Sequence, residues 1–379
     1  MKNLGIYVHI PFCKKKCEYC DFISFSNKNE KVLEYVSALC KDIKQYSFQV
    51  KDYAINTIYF GGGTPSYINE KDIKQIVEDI KNSYNVISDC EITIEVNPGT
   101  VNKEKLELYK EIGITRISIG LQSTHNRLLN LIGRIHRYEE FINTYNLARE
   151  VGFKNINIDL MLALPTQTMK ELEESVNVII NLRPEHISVY SLILEEGTEI
   201  YRKIENKELE LVDEELERKM YWKTKEMLEN AGYNHYEISN FSKPKLESKH
   251  NLNCWNQEEY LGFGIAAHSY LKNKRFSRTE KLEEYISNIK EEKYERNIFI
   301  EEEQDREQKA KEYMLLGLRK IEGVSISEFE RKFEINPLFY FRFEISKLEE
   351  ENLLEVDLDN IKLTKKGLDL ANVVFEEFI

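Results

Sequence analysis

Cys13, Cys17 and Cys20 fall within eight residues of YVHIPFCKKKCEYCDF (7–22) and make up half of the chain's six cysteines. Thiols so close admit three readings: a disulfide knot, a zinc site, or three legs of an iron–sulfur cluster. A structural zinc site wants four ligands, normally as two C-x-x-C-like halves far apart. No second half follows, since Cys40, Cys90 and Cys254 stand alone. A disulfide would leave one of the three thiols unpaired and suits an oxidising compartment. Three thiolates on a C-x3-C-x2-C loop can hold three irons of a [4Fe–4S] cube and leave the fourth iron open to a small chelating molecule.

Other candidates for chemistry are spaced along the first half of the chain. GGGTPS (61–66) gives close backbone approach and unusual φ angles. Glu95 stands in EVNPGT, Gln122 in GLQS, Arg134 in GRIH and Asp159 in INIDLML. Singly, each has an ordinary explanation: a tight turn, a solvated acid, a surface charge. Polar groups at the ends of successive strands can, however, converge on one ligand.

The elements that must position them alternate. Strand-like runs cover 5–10, 56–62, 91–97, 116–121, 155–162 and 186–192, rich in Ile, Val or Tyr. Helical runs lie near 30–47, 70–84, 102–112, 137–151, 169–181 and 213–231, several ending before Gly113, Gly152 or Gly232. Six strand–helix units in series imply parallel pairing with right-handed crossovers. The fold class is α/β, and a partial (β/α)6 barrel fits best, with its polar segments at the C-terminal ends of the strands.

The C-terminal part differs: helices over 303–321, 325–333 and 338–351, then two short strands around Asp359-Asn360 and a last helix. Three helices and a hairpin form a winged-helix-like, mostly helical domain. Winged helices usually bind DNA, but residues 300–379 carry 12 Lys+Arg against 20 Asp+Glu. That charge disfavours phosphate contact and favours a packing or docking role. The expected division is a barrel over 1–235, a connecting segment over 236–299 and the C-terminal domain over 300–379. Charge-rich stretches at 280–296 and 301–312 are expected to be solvated helix faces.

Composition bounds the function. A net charge of −13 speaks against nucleic acid and anionic membranes as partners. No run of about 18 apolar residues predicts a membrane span. The N-terminus lacks a signal-peptide pattern, so a cytoplasmic location with reduced thiols is expected.

YVHIPFCKKKCEYCDF, YFGGGTPS, EVNPGT, RISIGLQS and INIDLMLALPTQT together resemble the radical S-adenosylmethionine (SAM) proteins of the coproporphyrinogen dehydrogenase (HemN-like) group. The resemblance runs from Tyr7 to about Tyr270 and continues more weakly beyond. It implies that Cys13, Cys17 and Cys20 ligate a [4Fe–4S] cluster whose open iron SAM chelates, and that an external electron donor serves the cluster. Tyr7 and Tyr19 would flank cluster and cofactor. Gly62, Gly63 and Thr64 would line the methionine end. Arg134 would pair with the carboxylate, a match that Lys would not reproduce. Glu95, Gln122 and Asp159 would supply polar contacts, and Ile193 would lie near the adenine.

Within this group two classes are weighed. The decarboxylating oxygen-independent coproporphyrinogen III oxidases have a further Cys two residues after the third and a long arm before the first strand. Here the corresponding residue is Phe22, and the first strand is expected at about Gly5. Both departures point to the second class, the HemW heme chaperones, which bind heme and pass it to an acceptor hemoprotein. That class carries a His-Asn-x-x-Tyr-Trp motif linked to heme. This chain has His250-Asn251-Leu252-Asn253-Cys254-Trp255, so His250 is the candidate axial ligand. Cys254 replaces the tyrosine; it is a second candidate ligand or, more simply, a small buried thiol. His9, His125 and His268 are further candidates for that ligand, although a satisfied core or loop histidine is the simpler reading of each.

Overall fold

Along six successive strands, outward apolar residues alternate with inward, mostly polar ones, and this alternation shapes the barrel. The computed structural model describes all 379 residues. Its parallel strands are β1 (Lys2–Ile10), β2 (Tyr53–Gly62), β3 (Val86–Val96), β4 (Arg116–Gln122), β5 (Ile156–Leu162) and β6 (His186–Ser191). The apolar set, including Ile6, Val8, Ile58, Phe60, Ile92, Ile94, Ile117, Ile119, Ile156, Ile158, Ile187 and Val189, joins one core of 61 buried residues beneath the helices. The other set faces the lumen and is polar: Thr57 and Tyr59, Glu91, Thr93 and Glu95, Arg116 and Ser118, Asn157 and Asp159, His186 and Ser188. Hydrogen bonds across the lumen tie them together, as from Asn157 Nδ2 to Ser118 Oγ at 2.7 Å and between His186 Nδ1 and Asn157 Oδ1 at 2.6 Å.

The crossover helices are α1 (Val32–Tyr46), α2 (Glu70–Ser83), α3 (Lys103–Glu111), α4 (Asn126–Leu131), α5 (Tyr138–Val151) and α6 (Met169–Leu182). After β6 come α7 (Glu199–Glu205) and α8 (Glu214–Asn230). Local chemistry sets several ends. Asn69 and Asp213 cap α2 and α8, Thr168 and Glu171 form a capping box on α6, and Gly152 closes α5 at φ 93°.

The sheet extends beyond the six expected strands. The segment after α8 folds into β7 (Asn234–Glu237), β8 (Asn240–Ser242), α9 (Lys249–Trp255), β9 (Tyr260–Phe263), β10 (His268–Leu271), β11 (Lys274–Arg278), α10 (Leu282–Lys290) and β12 (Ile298–Glu303). The order is β12-β11-β10-β9-β1-β2-β3-β4-β5-β6-β8-β7, twelve strands in one sheet. Phe263, Ile265, Phe276 and Tyr285 from this segment enter the barrel's core. A buried ion pair, Arg278 Nε to Asp42 Oδ2 at 2.7 Å, fastens β11 to α1, and Tyr285 Oη donates to the same carboxylate at 2.8 Å. Residues 301–303 therefore belong to a strand, not to the helix face expected there. Its neighbour β11 supplies hydrogen bonds that outweigh the local helix propensity of three glutamates. The first strand likewise begins at Lys2 rather than Gly5, because Tyr53 and Ala54 of β2 pair with Lys2 and Asn3.

The C-terminal helices are α11 (Arg306–Gly317), α12 (Ile326–Phe333), α13 (Pro337–Tyr340) and α14 (Arg342–Glu350). Strands β13 (Val324–Ser325), β14 (Leu354–Val356) and β15 (Asn360–Leu363) make a three-stranded sheet, and α15 (Lys365–Asp369) and α16 (Ala371–Glu376) finish the chain. They enclose a separate core of 17 buried residues. No helix is long and apolar enough to cross a membrane.

Candidate functional site

The C-terminal ends of β1–β6 surround a cavity of about 520 Å3. Cys13, Cys17, Tyr19, Cys20, Gly62, Gly63, Thr64, Glu95, Gln122, Arg134, Asp159 and Ile193 all line it. Of the residues expected here, Tyr7 is set back. Its ring stacks on Tyr59 with centroids 6.4 Å apart, its hydroxyl meets His9 Nδ1 at 3.0 Å, and Tyr59 is the one that faces the cavity.

The cysteine loop is held at its base and its tip. Cys13 N–H donates to Phe25 O at 2.9 Å, and Phe25 N–H to Pro11 O at 2.7 Å. Glu18 N–H reaches Ile132 O at 3.1 Å, Ile200 N–H reaches Glu18 O at 2.9 Å, and Lys203 pairs with the Glu18 carboxylate at 2.6 Å. Helix α7 thus braces the loop. Thr64 Oγ1 donates to Cys13 Sγ at 3.4 Å. Burial, and then the neighbouring Cys17, push the Cys20 thiol up to about 11, and burial raises Cys13 as well. Thiols held this way release protons when they bind metal.

The glycines after β2 are demanded by contact. Gly62 has φ 105°, and a Cβ there would lie 2.4 Å from the His9 ring. At Gly63 a Cβ would meet Ile10 O at 2.8 Å. Arg134 is buried beside the cysteines. Its Nη2 donates to Asn97 Oδ1 and Gly120 O, both at 2.7 Å, and its Nη1 points at Cys17 Sγ from 3.7 Å. A side chain at Gly120 would stand 2.9 Å from that Nη2, so the strand must be bare where the guanidinium crosses it. His136 accepts from Arg134 Nε at 3.3 Å; burial and then the Arg134 charge hold its imidazole down to about 3, so it stays neutral.

Deeper, two acids share the lumen. Tyr59 Oη donates to Glu95 Oε1 at 3.0 Å, while Asn157 Nδ2 donates to Asp159 Oδ1 at 2.6 Å. Burial, and then the Asp159 charge, push Glu95 up to about 7; burial also raises Asp159. The cavity can therefore bind a cationic, hydroxyl-bearing ligand at its acidic depth and a carboxylate beside Arg134. Three thiols at one end with a cation beside them suit an iron–sulfur cluster, and the glycine cradle, Arg134 and the two acids suit SAM.

Sequence reasoning passed over Asn97, Ser118, Tyr190 and Arg116. Asn97 orients Arg134, and Tyr190 Oη donates to Gln122 Oε1 at 2.9 Å. All but Asn97 sit at alternate polar positions of RIS and HISVY, a period-two signal present in the strands themselves.

His250 and Cys254 lie elsewhere, on α9, which plugs the opposite end of the barrel. The His250 imidazole is buried against Tyr59, its Nδ1 meets Thr57 Oγ1 at 2.9 Å, and its backbone N–H donates to Glu91 Oε1 at 3.2 Å. Burial, and then the Arg116 charge, hold it down to about 4. Cys254 is half-buried, and burial pushes its thiol up to about 11.

Comparison with known proteins gives a consistent picture. The radical SAM superfamily model matches residues 7–179, and the HemN C-terminal domain model matches residues 304–370. The heme chaperone HemW of Bacillus subtilis (strain 168) is 37% identical over 374 residues, spanning 98% of each chain. HemW of Lactococcus lactis is 35% identical over 378 residues, covering 100% of this chain and 98% of its own. Among solved structures, coproporphyrinogen III oxidase (HemN) from Escherichia coli superposes with a TM-score of 0.86 at 22% identity, over 100% of this chain and 90% of that one.

Proposed function

Because this chain belongs to the radical SAM superfamily and, within it, to the family of the heme chaperone HemW, we propose that it binds heme and hands it to an acceptor hemoprotein. The observation that carries this is the 37% identity to a heme chaperone across 98% of both chains. The likeness to coproporphyrinogen III oxidase is one of fold.

In this reading Cys13, Cys17 and Cys20 hold a [4Fe–4S] cluster at the mouth of the barrel. Arg134, fixed by Asn97 and Gly120, receives the carboxylate of SAM beside it. Gly62, Gly63 and Thr64 leave room for the methionine end, Glu95, Gln122 and Asp159 take the polar groups, and Ile193 lies at the outer wall. When bound, the cluster and SAM supply one-electron chemistry, and the chain's part is to position and to exclude water. Phe22, 62% exposed on the cavity's rim, stands where the decarboxylases carry a further cysteine. His250 serves as the heme ligand only if α9 leaves the barrel floor, since its imidazole is enclosed there.

The test is a paired assay on cluster-loaded protein. Given heme, the chain should restore activity to an apo-hemoprotein. Given coproporphyrinogen III, SAM and a reductant, it should form no protoporphyrinogen. Formation of protoporphyrinogen would overturn the chaperone reading.

A further inference from the structure

We propose that Arg116 is a positioning residue for SAM: a guanidinium beneath the cavity that touches no ligand and keeps Glu95 and Asp159 ionised together, so that the acidic depth accepts a cationic ligand at neutral pH. The inference rests on the reading of this cavity as a SAM site.

The first observation is an unpaired buried cation. Three arginines are buried, Arg116, Arg134 and Arg278. Arg278 is locked to Asp42 at 2.7 Å, and Arg134 donates to Asn97 and Gly120. Arg116 is 2% exposed, yet its Nε meets no hydrogen-bond partner and no carboxylate reaches its guanidinium for an ion pair. Thr93 Oγ1, in register with it on β3, is unpartnered too. A buried charge left this way costs stability, and a pair with either lumen acid would relieve that cost. Such a pair would also occupy an oxygen that the ligand needs.

The second observation is position. Arg116 lies one inward step below Ser118 on β4. Ser118 lines the cavity and donates to Asp159 Oδ1 at 3.3 Å, whereas Arg116 does not line it. On β3, Thr93 and Glu95 pair with Arg116 and Ser118 in the same order. The cation thus stands one layer beneath the acids, outside the space that SAM would fill.

The third observation is the set of charges around the acids. Glu95 faces Tyr7 from β1, Tyr59 from β2, Asp159 from β5 and Arg116 from β4. Asp159 also meets Tyr190 from β6. Burial raises all three tyrosines well above their ordinary range, so they carry no charge. On the floor side lie Glu91, His186, Tyr236 and His250. Burial and then the Arg116 charge hold both imidazoles down, so they are neutral as well. Arg116 is therefore the cation among these groups. Two buried acids that face each other share one proton unless a cation opposes it. Burial, and then the Asp159 charge, still push Glu95 up to about 7, and Arg116 acts against the rise at both acids.

The experiment uses full-length, cluster-loaded protein. SAM binding is measured by anaerobic calorimetry from about pH 6 to about pH 9, in buffers of differing ionisation heat that also count released protons. Wild-type affinity should rise with pH and level off near 7, as Glu95 ionises. Titration of SAM itself is common to every variant and cancels in the comparison. Arg116→Gln should move the onset of that plateau up by at least about one unit and weaken binding roughly tenfold at neutral pH. It should also release more protons on binding, and regain wild-type affinity near the alkaline end. Arg116→Lys should keep the wild-type profile. A loss of affinity that is equal at every pH would mark a purely structural role and overturn the proposal, as would an unchanged profile. Asp159→Asn removes the like charge and makes loss of the cation easier to bear. The same upward step should therefore separate Asp159→Asn from the double variant that adds Arg116→Gln. Coincident profiles for that pair would overturn the proposal even where Arg116→Gln alone does not fold. If cluster-loaded wild type binds no SAM, the SAM reading fails first, and the role of Arg116 with it.

Discussion

The ring of Tyr59 lies over the imidazole of His250, with centroids 5.2 Å apart and planes 29° from parallel. One side chain thereby joins the two ends of the barrel. The Tyr59 hydroxyl serves Glu95 in the cofactor cavity, and its ring rests on the histidine that plugs the floor. The motif histidine is a structural part of the lumen in this conformation.

Acid should test that packing directly. His250 is held down to about 4 when folded, first by burial and then by Arg116, against an ordinary value near 6.5. Between those values the unfolded chain binds a proton that the folded chain does not, so stability falls as pH drops from about 6.5 to 4. His9 and His235, each lowered to about 4 by burial, act in the same direction. His250 alone contributes on the order of 3 kcal/mol to that loss. Urea unfolding of His250→Asn across this range should show a smaller decline than wild type. An identical decline would mean that His250 is not buried and neutral.

Arg134 should resist conservative replacement. Its fork spans Asn97, Gly120 and the Cys17 sulfur at once, which one ammonium cannot copy. Arg134→Lys should keep the iron content of reconstituted protein and weaken SAM binding roughly ten- to hundredfold by calorimetry. Full affinity in the lysine variant would remove Arg134 as the carboxylate partner.

The strands that build this site were legible because each pairs a β-branched or aromatic outer face with turn signals, as in RISIGLQ and HISVYS. The converging residues were legible in part: Glu95 and Gln122 stand at the ends of β3 and β4, whereas Asp159 lies mid-strand in β5 and Arg134 in the connection after α4. The later strands were not. β7, β8, β9 and β10 are four residues or fewer, and their pairing with β6 and β1 comes from a sheet edge formed far away in sequence. The place of His250 was hidden for a related reason. KHNLNCW has no helix period of its own, and only Thr57, Tyr59 and Glu91 below the cavity decide that its imidazole turns inward. Lumen residues such as Arg116 were visible as an alternation, but polar residues inside a strand ordinarily mark a solvated face.

Helix α9 has seven residues, too few to persist alone in water. It is clamped between the lumen and the C-terminal domain. The Arg319 guanidinium sits 4.6 Å from the centre of the Trp255 ring and 5.5 Å from that of Phe375. Lys320 Nζ donates to Asn256 Oδ1 at 2.8 Å, and Gln257 Nε2 to Glu312 Oε2 at 2.7 Å. The domain expected to dock rather than bind DNA therefore fastens the helix that carries His250. Arg319→Ala removes a half-buried cation–π contact, about 1 kcal/mol, without touching the cavity. Hydrogen exchange at α9 amides should quicken while SAM affinity and iron content hold. If His250 ligates heme, heme uptake should quicken in the same variant, since the helix must leave the floor to expose it. Unchanged exchange at α9 would show that Thr57 and Glu91, and not the C-terminal domain, hold the helix in place.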